Sequence, residues 1–329
     1  MSKRAPRLLV AIVLALCPNL VSAQSFEPVG TRASGMAGAF VAVADDASAV
    51  YWNPGALAAG SFFGLVLDHN VSSREPDEGV NGSGTRSAFL AALSTPAVGV
   101  SYYRFRATTA TPQAASPTTS RLENLITHQT GVTLVQSLFG RLSVGTTVKL
   151  VRGVAASAVA LGTDSKALVD QAEDLVGNAT NKFDADVGVL GVFGTLRAGL
   201  TVRNVGEPKF QTVGNVDEIG LDRHVRAGVA VATAVGVMIA VDSDITTAHG
   251  PAGDIRDLAI GGEARVLSRL YARAGTRFNT IGDQPGGRTP TVSFGGTYAV
   301  LSSILVDGQL TTGSSGGGTG WGVAGRVVF

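Results

Sequence analysis

The sequence predicts an all-β fold: a transmembrane up-and-down antiparallel β-barrel of about 14 strands, with an N-terminal hatch inside its lumen. Three observations point there. Runs of about ten residues alternate in polarity, short and long connections alternate between those runs, and an apolar content of 45% is reached with a single long apolar block. Asp, Glu, Lys and Arg make up only 16% of the chain, against roughly 25% in soluble domains. Gly is over-represented, at 43 of 329 residues.

The apolar block runs from Leu8 to Cys17, behind Lys3, Arg4 and Arg7 and ahead of the small-x-small pattern Val21-Ser22-Ala23. It is too short to span a bilayer and has the flanks of a secretion signal. Residues 1–23 are therefore expected to be a cleaved signal peptide, with the mature chain starting at Gln24. A lipidated Cys17 is the rival reading, and Leu16 stands where a lipoprotein signal wants a small residue. Cleavage removes the only cysteine, so the exported chain would have no disulfide framework. It also leaves 23 of the 26 Lys and Arg against 25 Asp and Glu, a balance that gives no reason to expect a nucleic-acid partner.

The barrel is expected over residues 60–329, because polarity alternates there as a lipid-facing strand demands. In Leu196–Arg203, Leu196, Ala198, Leu200 and Val202 share one face while Arg197, Thr201 and Arg203 share the other, since successive side chains point to opposite sides of a strand. Asp242 and Asp244, Glu263, and Arg273 and Arg277 obey the same parity in their own runs. The predicted strands are Gly60–His69, Arg86–Ser94, Ala97–Arg106, Thr127–Leu138, Arg141–Arg152, Lys182–Val192, Leu196–Asn204, His224–Ala232, Val235–Asp244, Arg256–Val266, Arg269–Asn279, Thr291–Ala299, Ser302–Thr311 and Thr319–Phe329. Alternating long and short gaps suit an even-stranded bacterial outer-membrane barrel with its termini in the periplasm. Closure also removes the edges an open sheet would have to protect.

Two longer connections have their own character. Thr108–Ser120, rich in Thr, Ala and Pro, reads as a flexible loop. Asp164–Gly177 places Leu168, Ala172, Leu175 and Val176 at helical spacing between an Asp start and a Gly stop, which predicts a short amphipathic helix. It would cap the barrel mouth, or serve as a gate or ligand-gathering surface.

Residues 24–59 neither alternate nor suffice for a domain. Small residues around Gly35 and Gly38 permit close backbone packing, and Asp45, Asp46 and Asn53, the last followed by Pro54, can bond local backbone in turns. A compact plug fits that composition. The run Gly30-Thr-Arg-Ala-Ser-Gly35-Met-Ala-Gly38-Ala-Phe-Val-Ala-Val-Ala-Asp45-Asp46 through Tyr51-Trp52-Asn53-Pro54-Gly55-Ala-Leu57 resembles the hatch of the FadL superfamily of outer-membrane proteins. It is closest to the PorV-like and TraF-like branches. Phe183–Leu190 and Leu200–Pro208 resemble strand sequences of those branches, and the terminal Phe329 resembles the signal read by the barrel assembly machinery. Two departures stand out: Ala37 follows Met36 where Gly is common, and Gly55-Ala56 replaces the usual Ala-Gly.

The resemblance implies a barrel plugged from the periplasmic side that catches hydrophobic small molecules, such as long-chain fatty acids or hydrocarbons, at outer loops and releases them sideways through a kinked third strand. In this chain the opening would lie at Gly99, Tyr102 and Tyr103. Val98, Val100 and Tyr102 share a parity with Arg104 and Arg106, so a bulge near Tyr103 would flip the apolar face; alternatively the two arginines lie above the bilayer. Another branch implies a PorV-like scaffold or shuttle whose partner is a secreted protein's terminal signal.

No enzyme constellation stands out, and no cofactor is expected. Gly320–Gly325 matches a dinucleotide pattern with no chain left for its helix, and Gly313–Gly317 matches a nucleophile elbow with no helix behind it. His69, His128, His224 and His249 lie on separate segments and form no metal pair; His224 beside Asp222 could be half of a hydrolase dyad. Inward charges, above all Arg197, Arg203, Asp242, Asp244, Glu263, Arg273 and Arg277, read as an ion-pair network anchoring the hatch or as a charged pore, since semi-buried charges persist only when paired or hydrated. The expected partners are outer-membrane lipid and a hydrophobic ligand.

Overall fold

The computed structural model describes residues 29–74, 82–113, 116–213, 218–250, 253–281, 290–313 and 318–329. The expected signal peptide and cleavage site lie outside the described residues. Fourteen antiparallel strands close into one barrel. They are β1 (Gly64–Arg74), β2 (Ser83–Ser94), β3 (Val98–Gln113), β4 (Ser116–Leu138), β5 (Leu142–Leu161), β6 (Asn178–Phe193), β7 (Leu196–Arg203), β8 (His224–Ala232), β9 (Val237–Asp244), β10 (Asp257–Leu267), β11 (Leu270–Asn279), β12 (Thr291–Ala299), β13 (Ile304–Gly313) and β14 (Thr319–Val328). Each overlaps the run predicted for it, in order. The seam closes between β1 and β14, in register from Gly64 with Val328 to Ser73 with Thr319.

Alternation decides which side faces out. On β4 and β5, Val132, Leu134, Val148 and Leu150 are exposed, as are Ile239, Ile260, Leu310, Trp321 and Val323 around the wall. An apolar belt of that extent would be a liability in water and is what a lipid-facing barrel wall requires. Short turns gather at one end, the turn end. In the turn that joins Leu138 to Leu142, Phe139 and Gly140 both have positive φ, 55° and 68°, a left-handed pair that suits the strand twist of a tight hairpin. Phe329 lies at this end, exposed, exchanging backbone hydrogen bonds with Phe63 at 3.0 and 3.2 Å.

At the opposite, loop end, β3, β4, β5 and β6 are the long strands, at 16, 23, 20 and 16 residues. The flexible loop expected at Thr108–Ser120 is therefore mostly strand: β3 and β4 pair from Val98 with Leu134 up to Pro112 with Ser120, with a register shift only after Pro112. Thr-rich segments suit strands, and a bulge is where a strand tolerates Pro.

The helix predicted within Asp164–Gly177 forms, as Ser165–Glu173, with Asp164 Oδ1 capping the N–H groups of Lys166 and Ala167 at 3.0 and 3.2 Å. Its Leu168, Val169 and Ala172 pack on Ala110, Leu122 and Ala160. Ala110 and Leu122 are in register and share the parity of the lipid-facing Val100 and Val132. The helix thus lies against the outer side of the extended wall, away from the mouth. A hairpin of Lys209–Gln211 and Glu218–Gly220 enters the lumen instead, burying Phe210 among Leu125, Val151, Ala155 and Leu221. Phe210 sits flat over Gly153, where any side chain would collide with its ring. Phe210→Ala should cost this hairpin about 3 kcal/mol. Amide exchange in the hairpin would then rise by roughly two orders of magnitude; unchanged exchange would show that Phe210 does not hold it.

Candidate functional site: the hatch and its wall

The described part of the N-terminal segment, from Val29, folds inside the barrel as two short helices, α1 (Thr31–Ser34) and α2 (Ala49–Trp52), followed by a 3-10 turn over Pro54–Ala59. Its core is almost wholly buried, with Met36, Phe40, Trp52 and Leu57 at no more than 2% exposure. The Trp52 indole donates to the Val29 carbonyl at 2.8 Å, and Tyr51 lies edge-on to Trp52 and to Tyr103 of the wall.

The hatch meets the wall largely through backbone, and it does so at inward glycines. A methyl at Gly99 would lie 2.7 Å from Val50, at Gly199 2.7 Å from the Val41 carbonyl, at Gly261 2.5 Å from the Met36 carbonyl and at Gly295 3.0 Å from Gly35. At Gly145, Gly188 and Gly275 it would overlap Pro54, Asn53 and Met36. The high glycine content therefore has a steric purpose on many strands at once. Of the two departures in the hatch motif, the one at Gly55 follows from the same contacts, and nothing in the structure explains the one at Ala37. A side chain at residue 55 would press within 2.7 Å of the Gly188 carbonyl, so the glycine beside Pro54 is what lets this turn touch β6. Ala37 sits at φ 55°, where glycine pays no steric penalty and alanine costs about 1 kcal/mol.

Polar side chains finish the attachment. Asn53 is fully buried; its amide donates to the carbonyls of Val41 and Val189, both at 2.9 Å, while its oxygen accepts from Gly55 N–H at 3.1 Å. Asp242 accepts from the N–H groups of Phe40 and Val41 at 2.7 and 2.8 Å, and Asp68 from Thr31 N–H at 2.6 Å. Each carboxylate satisfies hatch donors that burial would otherwise orphan.

Charged residues predicted as one network fall into three clusters. In the first, Arg32 of the hatch reaches Asp45 at 2.5 Å and Asp46 at 3.1 Å and grips Glu263 through two hydrogen bonds of 2.8 and 2.9 Å. Glu263 also accepts from Arg273, which reaches Asp307 at 3.2 Å, and Arg326 bridges Asp307 and Asp46 at 2.6 and 3.2 Å. Arg197 approaches Asp45 at 3.6 Å. The second cluster joins Lys149 to Asp186 at 2.7 Å and Asp184 at 3.2 Å, with Arg203 at 3.9 Å from Asp186 and stacked 3.5 Å over the Tyr51 ring. The third joins Arg226 and His224 to Asp244 at 2.5 and 2.9 Å, with Arg277 and Asp257 nearby at 3.5 Å from each other. His224 thus takes Asp244 as a carboxylate partner in this cluster. Burial pushes the Asp46 carboxyl up, but the Arg326 and Arg32 guanidiniums and the Ser48 hydrogen bonds outweigh it and hold it at about 2. Its anchoring is full above the ordinary carboxylate value of ~3.9 and is lost as pH falls through about 2.

The residues expected at a lateral opening occupy different faces. Gly99 and Tyr103 point inward, against Val50 and Tyr51, while Tyr102 points outward and shares a 2.7 Å hydrogen bond with His128. β3 pairs with β2 and β4 with no register shift from Gly99 to Ala110. No bulge occurs near Tyr103, and Arg104 and Arg106 keep the outward parity. Sequence reasoning passed over Arg32 and Asp68 as site residues. Arg32 could have been singled out as the only cation of residues 24–59.

Above the hatch, Leu90, Tyr103 and Phe105 of the inner wall are buried. A cavity of about 20 Å³ lies between them and the hatch, lined by Tyr51, Leu90, Tyr103, Gln129, Lys149 and Arg203 among others. That is room for about one water molecule.

Three solved structures share this architecture. The monoaromatic hydrocarbon channel CymD superposes with a TM-score of 0.63 at 15% identity, covering 93% of this chain and 99% of its own. A FadL homologue of Pseudomonas aeruginosa gives 0.61 at 10%, covering 92% and 99%. The toluene transporter TodX of Pseudomonas putida gives 0.58 at 12%, covering 93% and 98%. Residues 105–244 match the family model described as the F plasmid transfer operon TraF protein. No curated protein matches the chain in sequence. The chain has the fold of the FadL/TodX outer-membrane barrels, an all-β wall of fourteen strands closed around an N-terminal plug.

Proposed function

We propose that this protein is an outer-membrane passage for hydrophobic small molecules, such as long-chain fatty acids or hydrocarbons. One observation carries the reading: above the hatch, the inner faces of β2 to β4 present Ala88, Leu90, Tyr103, Phe105 and Leu125, an apolar and aromatic lining that a polar-solute pore would not need. The channels it resembles are named for toluene and monoaromatic hydrocarbons, which agrees with such a lining. The loop end would face outside and the turn end the periplasm. Ligand entering past the Phe210 hairpin would meet this lining and then the hatch. Withdrawal of Val50 and Tyr51 would free Gly99 and Tyr103, and sideways release would follow if β3 parted from a neighbour beside Tyr102.

Leu90→Asp and Phe105→Asp place a carboxylate in that lining. Each is expected to lower uptake of a labelled fatty acid or of toluene at least tenfold in a deletion strain complemented with the variant, at unchanged levels of heat-modifiable barrel. If deleting the protein leaves such uptake intact and abolishes display of secreted proteins, the PorV-like scaffold reading replaces this one.

A further inference from the structure

Outside the lumen, one group of basic side chains has no use in the passage just proposed. Strand register places Arg104, His128 and Arg152 side by side, Arg104 opposite His128 and His128 opposite Arg152. All three share the parity of the lipid-facing Val100, Val132 and Val148. The two arginines are therefore separated by two strand spacings, about 10 Å.

Their height is set by the belt below them. The row beneath contains Tyr102, Thr130 and Leu150, and the next down contains the exposed Val100, Val132 and Val148. From Gln136, beside the Phe139-Gly140 turn, to His128 the strand rises roughly 20 Å along the membrane normal, at ~3.4 Å per residue and ~40° of tilt. An outer-membrane apolar band is ~25 Å tall. The row thus stands at the upper edge of the band, where hydrocarbon gives way to headgroups.

Charge pairing separates this row from the one above it. Arg106, one row higher, is taken up by the Ser165–Glu173 helix, with its guanidinium 3.6 Å from the Glu173 carboxylate and donating to the Glu173 carbonyl at 2.5 Å. Among the described residues no carboxylate forms an ion pair with Arg104 or Arg152. The Tyr102 hydroxyl, 2.7 Å from His128 Nδ1, fixes the ring between them. Adjacent like charges at a hydrocarbon edge raise each other's energy unless an anion lies between them. Guanidiniums are the side chains best shaped to grip phosphate oxygens.

We infer that Arg104, His128 and Arg152 form a docking site on the outer wall for the phosphate group of a phosphorylated glycolipid in the outer leaflet. Its acyl chains would lie on the belt formed by Val100, Val132, Val148 and Leu150. This rests on the outer-membrane placement proposed above, and it holds whether or not the lumen carries hydrophobic ligands.

Native mass spectrometry of the detergent-purified full barrel tests it with three probes: a bis-phosphorylated lipid A, its dephosphorylated form and inorganic phosphate. The wild type should retain the phosphorylated glycolipid at least tenfold more tightly than the dephosphorylated one. Arg104→Gln/Arg152→Gln should lose that preference, whereas Arg265→Gln, at the turn end, should keep it. Retained heat-modifiability on gels reports that each variant is folded, and the comparison of lipids on the wild type needs no variant. Equal binding of both glycolipids by the wild type, or an undiminished preference in the double variant, would overturn the site. Competition by inorganic phosphate at concentrations equal to the glycolipid would overturn the lipid as its occupant.

Discussion

Gly145→Val is expected to expel the hatch from its seat while the barrel wall still forms. At this position the added Cβ would overlap the Pro54 carbonyl and the Gly55 nitrogen, atoms of a turn that cannot swing aside as a side chain can. Gly55 itself is held within reach of the Gly188 and Ser143 carbonyls, so the turn has no room to retreat. Overpacking a core costs about 1 to 3 kcal/mol where side chains can move, and an obstruction made of backbone belongs at the top of that range or above it. The β5 ladder is untouched, because the new side chain points into the lumen and Val suits a strand. In planar bilayers the variant should show a steady open conductance that the wild type lacks, and trypsin should cut at Arg32. Gly308→Val is the control, since the same addition there meets nothing within 4 Å. A silent bilayer and a trypsin-resistant hatch in Gly145→Val would mean that the glycine contacts do not position the plug.

Arg32→Ala attacks the same seat electrostatically. The Arg32 side chain is 11% exposed and serves three carboxylates, Asp45, Asp46 and Glu263. Removing it leaves Arg273, Arg326 and the more distant Arg197 to balance those three as well as Asp307. Breaking a buried pair by deleting one partner costs about 3 to 5 kcal/mol, enough to change the population of a displaced hatch by two to three orders of magnitude. Arg32→Lys should restore only part of this, because an ammonium cannot hold Glu263 through two parallel hydrogen bonds while reaching Asp45 and Asp46. The measurement is the urea concentration at which an exposed-hatch protease site appears. It should fall most for Ala and less for Lys, and an unchanged value for Ala would remove the network as the anchor.

Strands were legible because lipid enforces them. A charge on the wrong parity of Leu196–Arg203 or Thr319–Val328 would face hydrocarbon, so period-2 alternation survives in the sequence almost without noise. The extension of β3 to β5 was not legible. Above the bilayer either face tolerates polar residues, and Thr108–Gln113 loses its alternation at the height where lipid stops enforcing it. The helix at Ser165–Glu173 could be read from its own spacing, but the side on which it docks depends on Ala110, Leu122 and Ala160, distant residues of no special type. Partners of the hatch were hidden for a related reason. Arg32 meets Glu263, and Gly145 meets Pro54, because of how the barrel is staggered around its axis, a quantity set by fourteen registers together and by none of them locally.

The small size of the cavity beside Tyr51 bears on osmotic tightness. A barrel of this girth without a plug would let salts and sugars drain freely through the membrane that holds it. With backbone seated on glycine, the cavity beside Tyr51 leaves space for about one water, less than a hydrated ion needs at that point. A plug seated in this way fills with protein a place that a bare fourteen-stranded barrel would leave to water.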